Sequence, residues 1–114
     1  MLAEVRFEIK TNRETWLERV EVREASSGEP IDLSTAFIRL EVAAQPHGSP
    51  MLRADSETGP ITGTADGFIE WKFPANIMRT LPPGLYRVGL VYTLDEDTTQ
   101  ALVGDILIKD GIVS

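Results

Sequence analysis

Short runs of alternating apolar and polar residues, broken by clusters of Gly, Pro, Asn, Asp and Ser, predict an all-β fold. The expected form is an antiparallel β-sandwich of about seven to eight strands with one short helical turn, with an eight-stranded barrel as the second reading. Three observations predict it. In the stretch 81–108, Tyr86, Val88, Leu90, Tyr92 and Leu94 fall on every second position. Asp95, Glu96 and Asp97 favour a solvated turn after them, and Leu102, Ile106 and Ile108 supply the stripe of a returning strand. The other extended runs are short and separated by turn residues at brief intervals. The connections lack crossover helices, which predicts antiparallel pairing. A hairpin of this length cannot bury its apolar face alone, so the rest of the chain must furnish a second sheet.

The elements before that hairpin follow the same logic. Val5, Phe7 and Ile9 alternate with Arg6, Glu8 and Lys10 and predict a first half-buried strand. Residues 11–14 break the pattern, and 16–23 resume it with Trp16, Val20 and Val22 on one side. A turn over 25–30 places Gly28 where a positive φ costs little. Asp32 and Ser34 are suited to bonding nearby backbone N–H groups in a short turn, and Ile38, Leu40 and Val42 define the next strand. Two prolines and a glycine make 45–50 a loop. Residues 51–54 read as a brief edge strand, 55–60 as a turn and 61–62 as a short extended piece. After a turn over 63–67, Ile69, Trp71 and Phe73 alternate with Glu70 and Lys72, which puts Trp71 in the core. Residues 74–80 are the one helical turn, with Pro74 at its start and Ile77 and Met78 turned inward. Leu81, Pro82, Pro83, Gly84 and Tyr86 then have the pattern of a tyrosine corner, in which the phenol bonds a local backbone group.

Composition narrows the function classes. A chain of 114 residues makes one domain, 1–114. There is no cysteine, hence no disulfide framework and no thiolate metal site. The opening residues alternate apolar and charged, which is not the pattern of a signal peptide, and no run is long enough to span a bilayer, so a soluble domain is expected. A formal charge of −7 with singly scattered basic residues disfavours nucleic acid and anionic membrane as partners.

Candidate chemistry is sparse. His47 is the only histidine, it falls in the 45–50 loop, and no Gly-x-Ser-x-Gly elbow accompanies it, so an exposed loop residue is expected and not a triad member. Asp95, Glu96 and Asp97 lack the spacing that wraps calcium. Asp55, Glu57, Asp66 and Asp105 read as surface carboxylates, and residues 63–67 lack the lysine of a phosphate-binding loop. Trp16, Trp71, Tyr86 and Tyr92 lie on apolar stripes, where core packing outweighs a sugar-stacking platform. No catalytic residue, cofactor or metal ligand is expected.

One irregularity stands out along the hairpin. The opposite parity is also partly apolar, with Leu85, Val91, Ala101, Val103 and Leu107, whereas a sheet open to water alternates more cleanly. Either the Ile77/Met78 segment or the N-terminal strand covers this face, or a partner subunit does. Leu85, Val91, Val103 and Leu107 are the candidate partner interface.

Four segments together suggest a family. Gly28-x-Pro30-Ile31-Asp32-Leu33-Ser34, Ile38-x-Leu40-x-Val42, Gly67-x-Ile69-x-Trp71 and Leu81-Pro82-Pro83-Gly84-Leu85-Tyr86 resemble, in this order, the small β-sandwich domains of tailed-phage and prophage structural proteins. The nearest type is the N-terminal domain of the upper baseplate protein, and the likeness runs from about Trp16 onward. It implies an Ig-like module of a tail or baseplate that acts through protein contacts without catalysis. The implied partners are other virion structural proteins or further copies of the chain. The implied location is the virion, or the bacterial cytoplasm when expressed from a prophage. The longer family members continue into a receptor-binding or fibre region absent here, which implies a stand-alone adaptor. The alternative expectation is a carbohydrate- or cell-surface-binding Ig-like module, which requires exposed aromatic side chains.

Overall fold

Inward and outward side chains alternate along nearly every strand, and the two resulting sheets close on one core. The computed structural model describes residues 3–24, 26–44 and 50–111, the first three by their backbone. The strands are β1 (Ala3–Arg6), β2 (Lys10–Thr11), β3 (Trp16–Glu21), β4 (Phe37–Ala44), β5 (Pro50–Asp55), β6 (Ile61–Gly63) and β7 (Phe68–Phe73). One helical turn, α1 (Ala75–Met78), leads into β8 (Gly84–Leu94) and β9 (Asp97–Lys109). The larger sheet has the order β1-β9-β8-β4-β5, with β2 also on β9, and the smaller has the order β3-β7-β6. Apart from the first two short strands, this is how an Ig-like sandwich distributes its strands between layers.

The core is dominated by aromatic and branched side chains from both sheets. Trp16, Ile38, Leu40, Ile61, Ile69, Trp71, Val88 and Leu90 are all at most 1% exposed. Phe7, Trp16 and Trp71 meet edge to face with ring centroids 5.7–6.0 Å apart, the arrangement that aromatic quadrupoles favour. Glu18, on the inward parity of the edge strand β3, accepts a 3.1 Å hydrogen bond from Trp16 Nε1. A carboxylate at that position also discourages edge-to-edge pairing with another chain.

Local expectations hold at several turns. Gly28 has φ +71°. Asp32 Oδ1 accepts from the Ser34 N–H at 3.0 Å and the Ser34 hydroxyl at 2.6 Å. The β8–β9 hairpin closes through Asp95 and Glu96, both at positive φ, which suits the right-handed twist of the strands they join. Tyr86 is 3% exposed and its hydroxyl donates to the Pro82 carbonyl, completing the tyrosine corner. Gly67, at φ +86°, faces the Val22 carbonyl so closely that a Cβ there would lie 2.8 Å from it.

Three expectations are corrected. Pairing is not antiparallel throughout, because β1 and β2 run parallel to β9. Nearly the whole chain separates these partners and serves as the long connection that parallel strands need. The first strand also does not hold one parity. Three residues, 7–9, fill the interval between Arg6↔Asp105 and Lys10↔Ile108 that two residues, 106–107, fill on β9. Phe7 keeps the inward parity, at 7% exposure, and the extra residue turns Ile9 outward at 56%. In the helical turn, Met78 is buried but Ile77 is 36% exposed. Successive helical residues point about 100° apart, so a single turn sends only one of the two inward.

Asn12, which reads in sequence as an ordinary turn residue, is a buried polar clamp. Its Nδ2 donates to Leu81 O at 3.2 Å, its Oδ1 accepts from Gly111 N at 3.0 Å, and its own N–H reaches Lys109 O at 3.0 Å. One side chain thus ties the β2–β3 turn to the tyrosine corner and to the residues after β9. Among the described residues, no helix is long and apolar enough to cross a membrane.

Asn12→Ala should lower unfolding free energy by about 1–3 kcal/mol in urea titrations with an unchanged m-value, because two backbone groups lose their partners. Burial raises the Tyr86 phenol above its usual range. The stability this contributes is complete below the unfolded-chain value near pH 10 and is lost as pH rises through the folded one. Tyr86→Phe should therefore cost about 0.5–1.5 kcal/mol at neutral pH and flatten the alkaline fall in melting temperature.

Candidate interaction face

The core-facing alternation of β8 obliges its other residues, Leu85, Arg87, Gly89, Val91 and Thr93, to point out of the larger sheet. Strand register sets their neighbours in rows. Leu85 lies opposite Leu107, Arg87 between Asp105 and Ala43, Gly89 between Val103 and Glu41, and Val91 between Gln100 and Arg39. All four predicted interface residues, Leu85, Val91, Val103 and Leu107, therefore share one outer face.

Ala101 does not belong with them. The β8–β9 register shifts between Leu90 and Val91, so that Leu90 pairs with Leu102 and Val91 with Gln100. Ala101 is the extra residue of this bulge and packs against the core. Gln100 covers the irregularity, with Nε2 donating to Leu102 O at 3.1 Å and Leu90 O at 3.4 Å. Strict alternation in the sequence cannot anticipate such an insertion.

Two depressions mark the face. One, of about 230 Å³, lies between Phe7, Ile9, Leu85 and Leu107, with Arg6 and Asp105 on its rim. Two of its apolar side chains are open to solvent, Ile9 at 56% and Leu85 at 48%, while Phe7 is buried. The other, of about 290 Å³, is floored by Gly89, Val91 and Val103 and bordered by Arg39, Glu41 and Arg87. Arg6, Phe7 and Ile9 border the first depression at its side, and Met78 is in the core. Neither expected covering segment keeps Leu85 from solvent.

The charges on the face are arranged by the same register. Over the rows of Arg87, Gly89 and Val91, the described side chains include four arginines, Arg6, Arg39, Arg53 and Arg87, and three carboxylates, Glu41, Asp55 and Asp105. The described side chains of these rows are thus less acidic than a chain of net charge −7 would suggest. Glu41 is paired with Arg53 at 3.3 Å. Asp55 lies opposite Arg39 but turns to its own chain, where Oδ1 accepts from Thr58 N at 2.8 Å, Thr58 Oγ1 at 2.9 Å and Glu57 N at 3.0 Å. The Thr58 bonds hold the Asp55 carboxyl below its usual range. Among the described residues, neither Arg39 nor Arg87 has an ion-pair partner.

The remaining candidates do not converge. His47 lies outside the described residues. Glu57 and Asp66 are exposed, as are Asp95, Glu96 and Asp97 at the hairpin tip. Trp16, Trp71, Tyr86 and Tyr92 are buried. Among the described residues, no group of three or more His, Asp or Glu side chains is placed to hold a metal ion. A polar depression between Ser34, Thr35, Ser56 and Thr62 has its Ser56 hydroxyl committed to Ile38 N and Ala36 O. Sequence reasoning missed Ile9, Arg39, Arg87 and Gly89 as parts of the outer face. A glycine at outward parity within an otherwise bulky strand was the available signal for the last. No family model and no curated protein matches this chain.

The outward assignment has a direct check in paired substitutions. Leu85→Asp should change unfolding free energy by less than about 1 kcal/mol, as at other surface positions. Leu90→Asp, in the same strand but with its side chain in the core, should abolish the cooperative thermal transition seen by near-ultraviolet circular dichroism.

Proposed function

We propose that this chain is a non-catalytic structural and assembly module of a phage or prophage virion, in a tail or baseplate. It acts through protein–protein contacts made by the outer face of its larger sheet. The observation that carries the docking role is that face itself: Ile9 and Leu85 stand exposed beside Leu107, and Val91 and Val103 floor a trough edged by two arginines without ion-pair partners among the described residues. Apolar surface bordered by polar groups on a small domain is characteristic of an interaction site. The virion setting rests on the family resemblance. Its four segments form the turn into β4, β4 itself, β7 and the corner before β8, which are the framework of the sandwich. Burial of both tryptophans, at 0% and 1% exposure, speaks against the carbohydrate-binding alternative, since neither ring offers a stacking surface.

Particles purified after induction of the encoding strain should contain the chain in a fixed ratio to the major tail protein, measured by quantitative mass spectrometry. Leu85→Asp with Val103→Asp should leave the protein folded and deplete it from particles at least tenfold. Particles devoid of the wild-type chain would remove the virion reading.

A further inference from the structure

We propose that the trough over Gly89 is a socket for an acidic segment of a different protein. This segment lays an aliphatic side chain on Val91 and Val103 and sets carboxylates against Arg39 and Arg87. Such an occupant supplies the chemistry of the docking role proposed above and rests on it.

Gly89 sits within β8, flanked on one side by β9 and on the other by β4, where a glycine weakens the strand by forgoing packing and conformational restriction. Its own fold does not call for one. Its φ is not positive, and among the described residues a Cβ there would meet only Gln100 Nε2, at an ordinary 3.6 Å. Gly63 shows the contrast, since a Cβ there would fall 2.6 Å from Leu33 O and from Ile38 Cδ1. The missing side chain at position 89 instead leaves the floor of the outer trough open between Val103 and Glu41. A vacancy that none of the described residues requires fits close approach by a side chain from outside.

Charge then selects the occupant. Glu41 is engaged by Arg53 and Asp55 by Thr58, and Arg39 and Arg87, the latter opposite Asp105, border the trough without ion-pair partners among the described residues. Two forked donors beside an apolar floor match carboxylates flanking an aliphatic residue. A second copy docked face to face presents the same arginines instead, on a molecule of the same net charge of −7. It fits the trough less well.

Panning a random-peptide display library on the immobilised full chain tests the socket. The recovered peptides should be enriched in Asp or Glu beside Val, Leu or Ile, and a synthetic peptide of the consensus should bind more weakly as salt rises. Arg39→Glu with Arg87→Glu should weaken it at least tenfold, while Arg79→Glu, away from the trough, should not. Gly89→Val should weaken it similarly although the variant melts no lower than the parent, because a β-branched residue favours the strand it enters. Peptides without acidic enrichment, or binding indifferent to the trough substitutions, overturn the proposal. A dimer seen in sedimentation that those substitutions dissociate also overturns it, by giving the face to a second copy. A chain absent from particles that still selects acidic peptides here fails only the virion reading. A chain found in particles whose peptides ignore the trough fails only the socket.

Discussion

Period-two alternation along β8 ties the inside of this molecule to its outside. Tyr86, Val88, Leu90 and Tyr92 cannot enter the core without directing Leu85, Arg87, Gly89 and Val91 away from it. Hydrogen-bonded register then passes that choice to β9 and β4 and decides which residues become neighbours on the outer surface. Slipping β8 by one residue would bury Arg87 and expose Leu90. The hydrophobic penalty for doing so is what holds the outer face in its arrangement.

Within this constraint, two insertions shape the surface locally. The extra residue over 7–9 exposes Ile9 beside Leu85 and Leu107, forming an apolar slot where a regular strand would have carried that side chain inward. The bulge at Ala101 restores inward packing further along β9 and leaves Gln100 to bond the disturbed backbone. Bulges commonly re-aim side chains at sheet edges and near functional surfaces, and both of these border the face proposed for docking. The polar clamps have a different task. Asn12 and Tyr86 each bind backbone near the β7–β8 corner, through Leu81 O and Pro82 O, so the entry to β8 is held from two sides.

The face also shows how an acidic protein can present arginines. Of the cations in its rows, Arg53 is matched by Glu41, whereas the carboxylate opposite Arg39 is withdrawn into the turn after β5. That withdrawal reflects a competition for Asp55. Three donors from Glu57 and Thr58 are local and cost little chain entropy to bring together, while an arginine across the sheet must order a long side chain. Among the described residues the Arg39 guanidinium is left without an ion-pair partner, a by-product of turn chemistry that the surface can use.

From its sequence alone the chain declares an all-β sandwich, because apolar alternation, turn residues and a tyrosine corner are local signals that burial obeys directly. The central hairpin, the strands over Ile38 to Val42 and over Ile69 to Phe73, the deep placement of Trp71 and the shared outer parity of Leu85, Val91, Val103 and Leu107 are all legible this way. Tertiary structure alone decided the parallel pairing of the first strand, the reversal of Ile9, the inward turn of Ala101, the burial of Asn12 and the pairing state of each arginine. Each of these depends on register between segments far apart in the chain, or on which of two partners captures a polar group. Periodicity along a single strand carries no record of either.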